Sequence, residues 1–184
     1  ELQANLIAWG GLPAWSPSPE PPARHIILHP FSRGSGREWP IHHFADLAHQ
    51  LVALGFIPVV TGTAADAAIY AQTASLFPAE TVNVMGEDSL VDLLKRIGKA
   101  AGLVASGTGP LHMASLVGCP SIGLFPPRKN IDSMRWGAIG AASSNLELTE
   151  RCDLKCSNKQ CECMSAISPA QVKIQLQSHI LHSP

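Results

Sequence analysis

The sequence shows no excess of either charge, no long apolar run and no export signal. Thirteen basic residues stand against fourteen acidic ones, a net charge of −1. That balance gives no bulk basicity for nucleic acid and no acidic run of the kind that solvates a tail. Any anion binding must therefore come from a local site. No apolar stretch approaches the roughly 20 residues of a membrane-spanning helix. The start carries no secretory pattern, so a reduced, cytoplasmic setting is expected, in which disulfides are rare. The first residue is Glu1 rather than Met, which reads as a chain cut or processed from a longer one. With 46% hydrophobic and 15% charged residues, the 184-residue chain has an ordinary globular composition. Such a length suits one domain, with or without a tail, that buries roughly 70% of its unfolded surface.

Residues 1–23 read as a linker, since "PAWSPSPEPP" holds five prolines in ten residues. Proline fixes φ and removes amide donors, which disfavours both helix and central strand. The remainder, 24–184, reads as one domain. "HIILH" (25–29), "FIPVVTG" (56–62), "VNVMG" (82–86), "GLVAS" (102–106), "SIGLF" (121–125) and "NLEL" (145–148) read as strands. "IHHFADLAHQLVALG" (41–55) places apolar residues on one helical face and ends on Gly55. Further helices are expected over 64–77, over 88–100 with Asp88 or Ser89 as N-cap, and over 109–118. A closing amphipathic helix is expected over 168–182, with Ser168 as cap and Pro169 first. The strands are apolar runs rather than in–out alternations, and they alternate with helices. The expected fold class is α/β: a Rossmann-like parallel sheet of about five or six strands with helices on both faces. In such folds ligands sit at the carboxyl ends of the strands.

At one such end lies "SGTGPLHMAS" (106–115). Gly107, Thr108, Gly109 and Pro110 follow a strand and open a helix. A helix start leaves backbone amides without intrahelical partners and carries partial positive charge. Glycine permits close approach, and Thr108 adds a hydroxyl near the N-cap. These parts suit a pyrophosphate. No Gly-Lys-Ser/Thr follows, which excludes a Walker loop. His112 occupies the third glycine of a dinucleotide fingerprint, which excludes that motif too. A tight strand-to-helix turn capped by threonine is the plainer alternative.

The stretches "LHPFSRGSGREWP" (28–40), "GTGPLHMASLVGCPSIGLFPP" (107–127), "MRWGAIG" (134–140) and "CMSAISPAQV" (163–172) occur in that order. Together they resemble the donor-binding half of the family 9 glycosyltransferases, the lipopolysaccharide heptosyltransferase group, over about residues 25 to 182. The resemblance implies one half of a GT-B fold that binds a nucleotide-sugar, ADP-heptose or a related donor. It implies a parent enzyme that performs inverting glycosyl transfer in lipopolysaccharide or cell-surface glycan synthesis. By position, Arg37 stands where the family has a basic residue close to the donor phosphates, and Ser32 lies in the same loop. Gly107, Thr108, Gly109, Pro110 and His112 match the pyrophosphate and sugar-contacting turn. Asp66 falls where the family often has an acid for the ribose hydroxyls. Two departures stand out: Gly107 replaces the usual aspartate, and "LFPP" replaces Leu-Phe-Gly-Pro.

The resemblance also implies that the acceptor site and the catalytic base belong to an amino-terminal domain absent here, so the chain alone is expected to be inactive. No cofactor is required, no nucleic acid partner is expected, and peripheral association with the bacterial inner membrane is compatible with the parent enzyme. The alternative is a Rossmann-type nucleotide-binding or regulatory module without transferase chemistry. Cys152, Cys156, Cys161 and Cys163 could close a zinc or iron site, although the spacing is not that of two CxxC knuckles. Free thiols or a disulfide are the alternatives. Cys119 reads as core.

Overall fold

The computed structural model describes residues 24–148 and 161–181. The expected linker (1–23) and Cys152 and Cys156 lie outside the described residues. Strand β1 spans His25–His29 and is followed by helix α1, Ile41–Ala53. Strand β2 (Ile57–Val60) leads to α2 (Ala64–Ala71), and the short β3 (Val82–Asn83) leads to α3 (Leu90–Gly98). Then come β4 (Gly102–Ser106), α4 (Gly109–Val117), β5 (Ser121–Phe125) and the one-turn α5 (Ser133–Trp136). Strand β6 (Ser143–Glu147), the short α6 (Glu162–Ser165) and α7 (Pro169–Leu181) follow.

The strands line up in the order β3-β2-β1-β4-β5-β6, and each neighbouring pair is parallel. Ile27 pairs with Val59 on one side and Leu103 on the other. Both sheet faces are covered, as the unbroken apolar strands require. On one face Ile26, Leu28, Val104 and Ile122 pack against Phe44, Leu47 and Leu51 of α1 and Val172 and Leu176 of α7. On the other, Ile27, Leu103 and Ala105 pack against Ile97 of α3 and Leu111 and Ala114 of α4. Each fully buried leucine or isoleucine contributes about 1.5–3 kcal/mol relative to an exposed one. No helix among the described residues is long and apolar enough to cross a membrane.

The boundaries differ from the sequence reading in instructive ways. Gly55 lies just past the end of α1 with φ +83, and Leu54 forms its C-cap. The helix expected over 64–77 stops at Ala71 and resumes as a 3₁₀ turn over Ala74–Leu76, because Thr73 turns its amide back to Tyr70 O (2.8 Å). Of the two cap candidates for α3, Ser89 takes the role, its Oγ accepting from the Asp92 amide at 3.2 Å. Asp88 instead holds Arg96 through two contacts of 2.6 and 2.8 Å. Ser168 and Gln171 cap α7 reciprocally, Ser168 N–H donating to Gln171 Oε1 at 2.9 Å and Gln171 N–H to Ser168 Oγ at 3.3 Å. The edge strand β3 keeps only two residues, both exposed, where five were expected.

The chain builds outward from β1 to β3 and then crosses back to add β4, β5 and β6. Between β1 and β4 the strand order reverses. Folds of this kind bind ligands at such a reversal, outside the carboxyl ends of the strands.

Candidate functional site

The loop leaving β1 is built around Ser32 and Glu38. Ser32 N–H donates to Glu38 Oε1 at 2.8 Å. The Ser32 hydroxyl lies within reach of both Gly36 O (3.0 Å) and Glu38 Oε1 (3.1 Å) and accepts from Gly34 N–H (3.2 Å). Ser35 N–H closes a turn on Ser32 O at 3.0 Å. Inside it Arg33 has φ +51 and Gly34 φ +86, the signs of a type I′ turn. Trp39, 1% exposed, anchors the far end of the loop. Its indole N–H donates to Ile167 O at 2.9 Å and its ring meets Phe44 edge-on at 4.8 Å. Ser32 is thus a buried organiser of the loop that carries Arg37.

The loop leaving β4 supplies the second part. Thr108 is the N-cap of α4 by position, and its side chain makes no capping bond. Its hydroxyl and that of Ser106 are buried, with no partner among the described residues. Ser106 is 0% exposed and Thr108 6%. A buried hydroxyl without a partner costs about 1–3 kcal/mol. Ser106 ends β4 and Thr108 is the N-cap of α4, so the two lie at one strand-to-helix junction. A Cβ placed on Gly109 would enter open space, so the cap is accessible from outside. His112 is half-buried one turn further in.

The two loops touch. A Cβ on Gly36 would lie 3.3 Å from the Gly107 carbonyl oxygen. Gly36, which precedes Arg37 in the chain, thus abuts the turn that begins at Gly107. On the inner side of that turn the gap beside Gly107 is already filled. A Cβ there would lie 2.7 Å from Cε1 of Phe125, itself 1% exposed.

Asp66 sits on the other flank, at the start of α2 and 5% exposed. Its Oδ2 accepts from Thr63 N–H and Thr63 Oγ1, both at 2.7 Å, in a capping box. None of the described hydrogen bonds uses Oδ1. Close by, His29 Nδ1 meets Thr61 Oγ1 at 2.9 Å. Burial lowers the pKa of His29 to about 4, against a smaller opposing pull from Asp66. The imidazole is therefore neutral at physiological pH. Ser32, Arg33, Glu38, Trp39, Ala65 and Asp66 line a cavity of about 640 Å³ between the β1–α1 loop and α2.

Ser32 and Asp66 thus share this cavity, while Gly36, the neighbour of Arg37 in sequence, meets Gly107 at the adjoining switch point. Glu38, His29 and Ser106 were not singled out from the sequence. Glu38 had a signal, since an acid inside a loop of arginines and glycines needs an internal donor. Ser106 had none, because a serine ending a strand reads like any other. No cluster of metal-ligating side chains occurs among the described residues. Cys161 is buried and Cys163 half-buried at the start of α6. Cys119 is in the core, where burial pushes its thiol pKa up to about 12.

With this geometry the comparisons with known proteins can be placed. The family model for glycosyltransferase family 9 (heptosyltransferase) matches residues 18–166. A lipooligosaccharide heptosyltransferase 2 of Haemophilus influenzae is 29% identical over 98 residues, which are 51% of this chain and 28% of that relative. Two solved structures share the fold. A glycosyltransferase of family 9 from Veillonella parvula superposes with a TM-score of 0.75 at 20% identity, over 99% of this chain and 51% of that one. The ADP-heptose lipopolysaccharide heptosyltransferase II of Escherichia coli superposes with a TM-score of 0.72, also at 20% identity, over 97% of this chain and 51% of that one. The chain therefore spans about half the length of the solved relatives it matches. The Rossmann-like sheet matches about half of each of these structures, and the chain belongs to glycosyltransferase family 9, the heptosyltransferase family.

Proposed function

We propose that this chain binds the nucleoside-diphosphate portion of a nucleotide-sugar, ADP-heptose or a close relative, as the donor half of an inverting glycosyltransferase of lipopolysaccharide or surface-glycan synthesis. The observation that carries this reading is the contact of Gly36 with Gly107. It sets the guanidinium-bearing loop against a helix start whose two buried hydroxyls, on Ser106 and Thr108, have no partner among the described residues. Amides, hydroxyls and a guanidinium around one opening are the donors that a diphosphate accepts from.

In the reaction so inferred, an acceptor hydroxyl attacks the anomeric carbon and the carbon–oxygen bond to the diphosphate breaks. The nucleoside diphosphate leaves with the bonding electrons, and a carboxylate takes the acceptor proton. The residues of this chain stabilise the charge that grows on the departing diphosphate. The carboxylates that line the adjoining cavity, Glu38 and Asp66, are engaged by Ser32 and Thr63. The base is therefore assigned to the other half of the enzyme, and the chain alone is expected to bind without turnover. His112 donates a hydrogen bond to the bound anion and has no proton-abstracting role.

The test is calorimetric titration of the chain with ADP, UDP and GDP. Binding of ADP, weakened about tenfold or more by Arg37→Ala, is the expected result. Absence of binding to all three at millimolar concentration would overturn the reading.

A further inference from the structure

We propose that Arg33 is a ligand-binding residue, whose guanidinium takes a phosphoryl group of a phosphorylated, polyhydroxylated ligand in the cavity between the β1–α1 loop and α2. This rests on the diphosphate reading and adds to it a second cation and a second wall.

The first observation is conformational. Arg33 has φ +51, a region where a side chain clashes with its own backbone and glycine does not. Such a residue persists only where the surroundings dictate the backbone. They do so here: the Ser35 amide closes the turn on Ser32 O, and Glu38 pins Ser32. Glycine would fit this turn with less strain, as Gly34 does beside it.

The second observation is chemical. Arg33 is the only basic residue among those lining the cavity, whose volume is about 640 Å³. Two carboxylates line it as well. Yet Glu38 Oε1 is taken by Ser32 N–H and Oγ, and Asp66 Oδ2 by Thr63 N–H and Oγ1. The ion pairs among the described residues are Lys95 with Asp92 and Arg96 with Asp88, so Arg33 pairs with neither wall acid. An exposed arginine with five N–H donors thus lines a cavity in which one oxygen of each acid is already engaged. A guanidinium fork fits phosphoryl oxygens two at a time. The Oδ1 of Asp66, which none of the described hydrogen bonds uses, suits sugar hydroxyls. A cation and a carboxylate lining one cavity match one ligand class, a sugar phosphate, in which hydroxyls and phosphoryl oxygens lie a few bonds apart.

The experiment compares the wild-type chain with Arg33→Gly and Arg33→Lys, titrated with ADP, inorganic pyrophosphate and adenosine, alongside melting curves. Arg33→Gly should melt at or above the wild type, by about 2 °C if the strain is fully released. It should also lose about tenfold or more in affinity for ADP and pyrophosphate while binding adenosine as the wild type does. Arg33→Lys, which keeps the charge and loses the fork, should fall between. Unchanged affinity of Arg33→Gly for ADP and pyrophosphate overturns the proposal, and so does a melting temperature well below wild type. A wild-type chain that binds neither ADP nor pyrophosphate removes the donor-site reading and this proposal together. Binding that is sensitive to Arg37→Ala but indifferent to Arg33→Gly removes this proposal alone.

Discussion

Trp39 and Ile167 are hydrogen-bonded across the molecule, indole N–H to carbonyl at 2.9 Å. The bond ties the loop of the candidate site to the segment just before α7. Replacing Trp39 by Phe removes the donor and leaves the buried Ile167 carbonyl without it, at a cost of about 1–3 kcal/mol. Trp39→Ala adds a cavity and should cost about 3–5 kcal/mol. Urea denaturation reads both values. Equal stability of Trp39→Phe and wild type would show that the bond contributes nothing.

Glu38 should matter to binding without touching the ligand. Its carboxylate holds Ser32 through both the amide and the hydroxyl. Glu38→Ala should release the loop, lower stability by about 1–3 kcal/mol and weaken ADP binding through disorder in the Arg37 segment. Glu38→Gln keeps one acceptor oxygen and should retain more of both. Titration and melting of the two variants separate the roles: if Glu38→Ala melts lower yet binds ADP like the wild type, the loop does not need its anchor.

His29 gives stability a pH dependence of definite sign. Its folded pKa is lowered by burial to about 4, below the ordinary value of 6.5. Between those values the unfolded chain binds the proton and the folded chain does not, so stability rises with pH across the window. It is lost as pH falls from about 6.5 to about 4, by at most about 3 kcal/mol. His43, whose pKa is also lowered chiefly by burial, acts in the same direction. Urea denaturation at several pH values should show a shallower slope for His29→Gln than for wild type. Identical slopes would mean that His29 titrates normally in the folded protein.

Gly107 is set against the Phe125 ring, 2.7 Å from where a Cβ would stand. Gly107→Asp must therefore displace that ring and should cost about 1–3 kcal/mol. The wild-type turn offers a nucleotide-sugar no carboxylate at this point. We expect the chain to separate ADP-heptose from ADP by less than a hundredfold, or about 2.7 kcal/mol. Side-by-side titrations decide it, and a larger preference for ADP-heptose would show that sugar recognition is complete without the carboxylate.

Much of this architecture was legible because it depends on local pattern. The unbroken apolar runs of β4 and β5 announce a sheet covered on both faces, and Pro110 and Thr108 announce the start of α4. The failures have physical causes. The run around Val82 looked like an ordinary strand, but only Val82 and Asn83 pair, at an exposed edge. The one-turn helices α5 and α6 are too short to show a period. Within the candidate site, the glycines and the helix start pointed to the Gly107–Pro110 turn, and the family resemblance pointed to Arg37. The roles of Glu38 and Ser106 depend on which hydrogen bonds the fold supplies or withholds, and that is decided by contacts between loops distant in sequence.

The reversal of strand order between β1 and β4 also governs when the site can exist during folding. Its two halves meet only once Ile27 has paired with Leu103, with all of α1, β2, α2, β3 and α3 in the intervening chain. Closing so long a loop is slow and comes after the local pieces have formed. The nascent chain therefore lacks the junction of the β1–α1 loop with the Gly107 turn until that pair has formed. A nucleotide that binds here can recognise only the molecule in which the central strand pair is complete, and by mass action it stabilises that pair more than any single helix.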